Sequence, residues 1–104
     1  MIIILKACRK EIETFPEEIR GDLADALARL DAGLTLSMPL SRPMPIGQGV
    51  HELRLKARSG AYRVVYALVR HGTVHVLHAF KKTTKKISAR NLELARKRLK
   101  EVRP

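Results

Sequence analysis

The chain has 104 residues, of which 45% are hydrophobic, and a formal net charge of +11. This length predicts a single domain, residues 1–104, and this composition excludes a disordered basic tail. No apolar run approaches the roughly 20 residues of a membrane-spanning helix. Because charged residues directly follow the apolar start MIIIL and Cys8 is the single cysteine, we expect a cytoplasmic protein without a signal peptide or an internal disulfide.

The N-terminal third predicts two helices. Residues 5–15 place apolar side chains at helical spacing, with room for a brief strand at 2–4. A second helix follows Pro16, and Gly33 ends it. Its apolar stripe consists of Ile19, Leu23, Leu27 and Leu30. Residues 34–49, rich in proline and glycine, predict a long ordered loop that leads from the helices to a sheet.

The rest of the chain changes to the two-residue period of β-strands and then returns to a helix. Three predicted strands occupy residues 50–58, 62–69 and 74–80. The short turns at 59–61 and 70–73 imply an antiparallel meander. A basic helix follows within residues 87–102, with an apolar face formed by Leu92, Ala95, Leu99 and Val102. The predicted fold class is α+β: an N-terminal helical hairpin and a basic C-terminal helix, with the helices packed on one face of a curved, three- to four-stranded antiparallel sheet.

Positive charge is concentrated toward the C-terminal end. Residues 1–35 carry 5 basic and 7 acidic side chains, a net charge of −2. Residues 36–78 carry 6 and 1, a net of +5, and residues 79–104 carry 10 and 2, a net of +8. This asymmetry favours an anionic partner, either nucleic acid or an acidic protein, over a merely solvated basic surface.

Arg63 is the most informative single residue. It lies within the otherwise apolar strand YRVVYALV, opposite the face shared by Tyr62, Val64, Tyr66 and Leu68. A buried arginine is costly unless it is paired or faces a cleft. Two interpretations remain open: a structural salt bridge with Glu52, or an anion site that Arg63 forms with other basic residues.

The other candidates for an anion site are basic residues on the strand before Arg63 and after Phe80. They are Arg54, Lys56, Arg58, Lys81, Lys82, Lys85 and Lys86. Tyr62 and Tyr66 are predicted to pack in the core, with base stacking as the alternative.

The histidines are weaker candidates. His78 is either an acid–base group, since its ordinary pKa lies near neutral pH, or a packed strand residue. His75 and His78 are an odd number apart, so a regular strand would turn them to opposite faces, and zinc is not expected. No glycine-rich phosphate motif is present, and we expect no cofactor.

Four segments carry a resemblance to a known family: GVHELR (49–54), YRVVY (62–66), LHAFKK (77–82) and ELARKRLK (93–100). In their order and spacing the chain resembles the RelE/ParE toxin superfamily, in its HigB-like, phage-derived branch. The resemblance implies a toxin of a type II toxin–antitoxin pair that cleaves mRNA on the ribosome. It also implies a cognate antitoxin with a helix-turn-helix DNA-binding domain, and some superfamily members poison gyrase instead.

The resemblance also implies roles for individual residues. Arg63 matches the arginine that contacts the phosphate at the cut, and Lys82 matches a second basic residue after the last strand. Arg54 and Lys56 fall where these toxins place basic residues. The catalytic tyrosine of RelE-type toxins has no counterpart, because Ile87 and Ser88 stand in its neighbourhood.

Cleavage of RNA through its own 2′-OH needs a base, a cation for the phosphate and an acid for the leaving oxygen. Arg63 suits the phosphate, because its planar fork matches two phosphate oxygens. Lys81 and Lys82 are candidates for the leaving group, and Glu52 and His78 for proton transfer. The alternatives are a toxin that binds a target such as gyrase without cutting RNA, and a plain RNA- or ribosome-binding module. An antitoxin would cover either the basic groove or the outer face of the N-terminal helices.

Overall fold

The computed structural model describes residues 1–69 and 72–103. Within these residues the elements in chain order are β1 (Ile2–Ile4), α1 (Lys6–Glu13), α2 (Glu17–Asp31), β2 (Ser41–Pro43), β3 (Val50–Ala57), β4 (Gly60–Val69), β5 (Thr73–Lys82) and α3 (Ala89–Val102). The predicted turn at 70–73 falls partly on Arg70 and His71, which lie outside the described residues. None of the helices in this part of the chain is long and apolar enough to cross a membrane.

The strands form one five-stranded mixed sheet in the order β1-β5-β4-β3-β2. The predicted meander of β3, β4 and β5 is confirmed. The predicted sheet had too few strands, and its pairing was predicted to be entirely antiparallel, which is wrong at the β1 edge. Strand β1 pairs in parallel with β5, with Ile2 opposite Val74. Both added strands have three residues, too few for a two-residue period to be recognised. Pro43 in β2 is tolerated because an edge strand does not need every N–H group.

Helices cover both faces of the sheet, so the predicted packing on one face was wrong. Helices α1 and α2 pack with Val64 and Tyr66 in one core cluster. Helix α3 packs with Val65 and Ala67 in a second cluster on the opposite face. Residues 62–67 of β4 are all buried, as expected for a strand covered on both sides. Apart from Arg63, the apolar run YRVVYA is typical of a strand covered on both faces.

A β-bulge at Leu77 changes which side chains share a face. Val65 of β4 pairs with His78, whereas the next residue, Tyr66, pairs with Val76, so Leu77 is the extra residue. His75 lies opposite Ala67, two residues beyond Val65, and therefore shares a face with His78. The prediction that these two histidines face opposite sides was wrong, because it assumed a regular strand.

Candidate functional site

A cleft of about 360 Å³ opens on the sheet face that carries α3, beyond the part that this helix covers. We call it the basic cleft; it is lined by Arg42, Pro43, Met44, Pro45, Glu52, Arg63, Phe80, Lys82, Lys85, Lys86 and Ile87. Five of its side chains are cationic and one is a carboxylate. A cavity with this charge favours an anionic ligand.

Strand register brings the charged residues of the cleft together. Arg63 on β4 lies between Arg54 on β3 and Phe80 on β5. Glu52 precedes Arg54 by two residues on β3, and Arg42 on β2 lies opposite Glu52. Because side chains alternate between faces along a strand, Arg42, Glu52 and Arg63 are turned to the same face of the sheet.

Arg63 is buried at the cleft wall, with 5% of its surface exposed. Its Nη1 donates to the carbonyl oxygen of Tyr62 (3.1 Å), and its Nε has no partner within the described residues. The predicted alternative of a structural salt bridge with Glu52 is not realised, since the ion pairs found within 4 Å in residues 1–69 and 72–103 do not include Arg63. Burial lowers the pKa of the guanidinium, and Arg54 adds to this while Glu52 opposes it. Burying this charge therefore costs free energy, and its Nε–H donor remains available to a ligand in the cleft.

Lys82, the last residue of β5, also lines the basic cleft and lies near the positive charge of Arg63. Burial lowers the pKa of its ammonium group, the charge of Arg63 lowers it further, and Glu52 partly offsets both. A lowered pKa makes a lysine a better proton donor near neutral pH. Lys82 and the carboxylate of Glu52 line the same cleft.

Five predicted residues lie together at the basic cleft: Glu52, Arg63, Lys82, Lys85 and Lys86. Four other predicted basic residues do not line it. Arg54 and Lys56 line a separate depression beside α2, although Arg54 is close enough to lower the pKa of Arg63. Arg58 is exposed in the β3–β4 turn, and Lys81 lines a cavity beside α1.

His78 is buried outside the basic cleft, with 2% of its surface exposed. Its Nε2 lies 2.8 Å from Asn91 Oδ1, and Arg98 Nη1 approaches its Nδ1 at 3.0 Å. Its ring stacks on Phe80, with 5.2 Å between centroids. This placement corresponds to the packed alternative for His78, which makes it a weaker candidate for direct proton transfer.

Glu11 is the charged centre of the cluster around His78. Burial raises its pKa, but the hydrogen bond from Arg98 Nη1 (2.7 Å), His78 and the amide of Ala79 lower it, and the net shift is downward. A carboxylate whose folded pKa lies below its unfolded value of about 4.3 stabilises the fold above that value. This contribution is lost as the pH falls through the folded pKa.

We therefore expect Glu11→Gln to make the stability of the protein less sensitive to acid. Urea unfolding from about pH 7 to about pH 3 should show a smaller loss of unfolding free energy than in the unaltered protein. Glu13→Gln, at an exposed position on the same helix, is the control. An unchanged pH dependence in Glu11→Gln would contradict the lowered pKa.

Sequence reasoning missed part of the cleft wall: Arg42 and the apolar residues Met44, Phe80 and Ile87. The sequence could have identified Arg42 as a candidate, since it is the only charged residue between Asp31 and Glu52. The apolar residues had none, because their pattern is that of a core. They give the cleft one apolar side next to its cations, which suits a nucleotide with a base and a phosphate.

Other reactive groups do not form a competing site. Burial raises the pKa of Cys8 to about 12, with Glu11 adding to the effect, so this thiol is not a nucleophile at neutral pH. Within residues 1–69 and 72–103, no three His, Cys, Asp or Glu side chains are grouped as metal ligands. The basic cleft is therefore the candidate site.

Comparison with known proteins gives the chain a family and its architecture a known fold. A family model described as "Phage derived protein Gp49-like (DUF891)" matches residues 10–100. None of the curated proteins matches the chain. The isolated RelE toxin of E. coli, in a P21 crystal form, is similar over 89% of this chain and 95% of its own, with 19% identity and a TM-score of 0.58.

A mutant of the E. coli toxin RelE in the free state is similar over 95% of this chain and 96% of its own, with 21% identity and a TM-score of 0.65. At this level of identity the likeness shows a shared fold. The predicted RelE-like architecture is thereby confirmed, apart from the corrections to the sheet given above. Since the family model covers most of the chain, this protein belongs to the phage-derived Gp49-like family, and its fold is that of the RelE toxin.

Proposed function

We propose that this protein is the toxin of a type II toxin–antitoxin pair and a metal-independent endoribonuclease that cleaves mRNA on the ribosome, which inhibits translation. The observation that carries the proposal is Arg63: a buried cation without a carboxylate partner in the described residues, beside Glu52 and Lys82 in one cleft. Family membership and the RelE-like fold support the same function.

In the proposed reaction, the RNA phosphate lies against Arg63. Glu52 takes the proton of the neighbouring 2′-OH, and the 2′ oxygen attacks phosphorus. The bond from phosphorus to the 5′ oxygen breaks, and Lys82 donates a proton to that oxygen. The products are a 2′,3′-cyclic phosphate and a 5′-OH end. Arg63 contributes most, because a fixed cation placed where negative charge develops commonly lowers the barrier more than any other catalytic group.

The test is a cell-free translation reaction with the purified protein, followed by primer extension on the message. We expect breaks that require translating ribosomes and that end in a 5′-OH. An intact message alongside arrested growth in cells would support a toxin that binds a target such as gyrase. An intact message without growth arrest would leave a plain RNA- or ribosome-binding module.

Lys85 and Lys86 are proposed to bind RNA phosphates next to the reacting one. We expect Lys85→Ala/Lys86→Ala to weaken binding of all single-stranded RNA sequences and to reduce the slope of log affinity against log salt by about 1.4. The comparison variant is Lys97→Ala/Lys100→Ala, which removes the same charge from exposed positions further along α3. Equal slopes for the two variants would show that the lysines of the cleft act only through net charge.

The proposed partner is a cognate antitoxin with a helix-turn-helix DNA-binding domain. It would cover either the basic cleft or the outer face of α1 and α2. Affinity pull-down with Arg42→Glu/Lys86→Glu decides between these surfaces, because reversed charge in the cleft prevents binding of the antitoxin to the cleft and leaves binding to α1 and α2 unaffected. Retained binding would assign the antitoxin to the helices.

A further inference from the structure

Four polar side chains from three elements meet outside the basic cleft, in a cluster that we call the α3 clamp: Glu11 on α1, His78 on β5, and Asn91 and Arg98 on α3. The amide oxygen of Asn91 can only accept, so Nε2 of His78 carries the proton and donates to it (2.8 Å). Arg98 Nη1 donates to Glu11 Oε1 (2.7 Å), and Nδ1 of His78 lies 3.1 Å from the same oxygen. None of the four lines the basic cleft.

The clamp holds one face of α3 against the bulge in β5. Asn91 and Arg98 are two helical turns apart, and the fully buried Ala95 lies between them. Arg98 Nη1 also donates to the carbonyl oxygen of Leu77, the bulged residue (3.1 Å). The extra residue in β5 therefore supplies an acceptor that a regular strand would use within the sheet.

Asn91 belongs to the first turn of α3. Its backbone N–H donates to Ser88 Oγ (3.2 Å), and the N–H of Leu92 donates to the carbonyl oxygen of Ser88 (3.0 Å). Ser88 is thus the N-cap of the helix. The side chain of Asn91 fixes this capped turn to His78 and, through it, to the sheet.

The segment 83–88 is anchored at its two ends. It begins after Lys82, in the sheet, and ends at Ser88, on the clamped turn. Between these ends, Lys85 and Lys86 line the basic cleft and are exposed. A short exposed segment takes its position from its ends, so a displacement of the first turn of α3 displaces these lysines.

We propose that the α3 clamp positions Lys85 and Lys86 at the basic cleft, and thereby sets the affinity of the cleft for its anionic substrate without contacting it. The stack of His78 on Phe80, a wall residue of the cleft, gives the clamp a second contact with the site. The inference rests on the proposed function in taking RNA as the substrate. The four members of the clamp are accordingly positioning residues.

The first test needs no RNA. Hydrogen exchange of the amides of Asn91 and Leu92 should be about fivefold faster in Asn91→Ala, the effect of losing one hydrogen bond. Alanine favours helices more than asparagine does, so faster exchange would not be a propensity effect. Trypsin should also cut after Lys85 and Lys86 faster in this variant. Unchanged exchange and unchanged cutting would overturn the proposal.

The second test is a double-mutant cycle on binding of a short single-stranded RNA. Asn91→Ala and Arg98→Gln are measured in the unaltered protein and in Lys85→Ala/Lys86→Ala. Arg96→Gln, exposed on the same helix, is the charge-matched control for Arg98→Gln. We expect Asn91→Ala to weaken binding about fivefold in the unaltered protein and to have no effect once the two lysines are absent.

The two tests distinguish a failure of the clamp proposal from a failure of the proposed nuclease function. An equal loss of affinity in both backgrounds would show that the clamp acts on the whole fold, and would overturn the positioning role. If Arg98→Gln does not fold, Asn91→Ala decides alone. If the unaltered protein binds no RNA, the proposed function fails, and exchange and trypsin cutting still decide whether the clamp holds segment 83–88.

Discussion

Replacement of Arg63 by methionine is expected to lower the rate of RNA cleavage by a factor of about 10² to 10³ and to leave the fold intact. The rate falls because Arg63 is the one buried cation among the described residues that line the cleft. The fold persists because Arg63 is buried without forming an ion pair in the described part of the chain. A buried charge replaced by an apolar side chain of similar length is often neutral or stabilising, so we expect the unfolding free energy to change by less than about 1 kcal/mol or to rise.

Two measurements check the Arg63→Met variant: primer extension after cell-free translation, and urea unfolding. Arg29→Met removes the same charge from an exposed position on α2, on the opposite side of the sheet, and should change neither. Unfolding of Arg63→Met would show that the arginine is structural. Undiminished cleavage by a folded Arg63→Met would remove Arg63 from the reaction.

Arg63 is buried without an ion-pair partner in the described part of the chain, and this distinguishes it from the buried charges around His78. Glu11 and Arg98 are also charged and largely buried, but each satisfies the other, and together they tie α1 to α3. Arg63 has Glu52 nearby and forms no ion pair with it. In the proposed function an RNA phosphate completes this group, since a phosphate with two free oxygens matches the planar fork of the guanidinium.

Local periodicity predicted most of the elements. The stripe beginning at Ile19 is buried along α2, and the alternation around Leu53 and Leu55 is that of β3. Local sequence allowed a brief strand at 2–4 but could not reveal its parallel pairing with β5, because the pairing with Val74 and its neighbours joins residues about 70 positions apart. Nor could it reveal the bulge at Leu77, since an extra residue has no signature in a run of apolar side chains.

Charge density in the sequence pointed to the end of β5. Lys82 is the last residue of β5, Lys85 and Lys86 follow it, and all three line the basic cleft. Lys81 was grouped with them, yet it pairs with Tyr62 whereas Lys82 pairs with Ala61, so the two neighbours face opposite sides of the sheet. Residues close in sequence lie at the same end of a strand. Successive side chains of that strand still point to opposite faces of the sheet, so neighbours such as these two lysines are separated.

The α3 clamp could not be predicted, because its members are far apart in sequence. Glu11 meets Arg98 across 87 positions and His78 across 67. In the sequence, Glu11 is one of two acidic residues on the first predicted helix, and Arg98 is one of ten basic residues in positions 79–104. Only tertiary packing gives this pair a role that the other charged residues on the same helices lack.

Leu53→Ala is expected to lower the free energy of unfolding by about 3 kcal/mol, and Leu68→Ala by less than about 1 kcal/mol. The two-residue period predicted both leucines on the core side of neighbouring strands. Leu53 is fully buried in the cluster under α1 and α2, whereas Leu68, near the end of β4, has 41% of its surface exposed. Truncation of Leu53 leaves a cavity that the surrounding side chains cannot fill, and truncation of Leu68 mainly removes surface that water already contacts.

Urea unfolding of the two variants at one pH measures the difference directly, because they share the same chemical change. Neither residue lines the basic cleft, so RNA cleavage by the folded fraction should be unchanged in both. Equal losses of stability would mean that the far end of β4 is covered in solution, for example by another molecule bound over Leu34 and Leu68. A large effect confined to Leu53→Ala would agree with the structure, in which α1 and α2 bury Leu53 but leave Leu68, on the same sheet face, exposed.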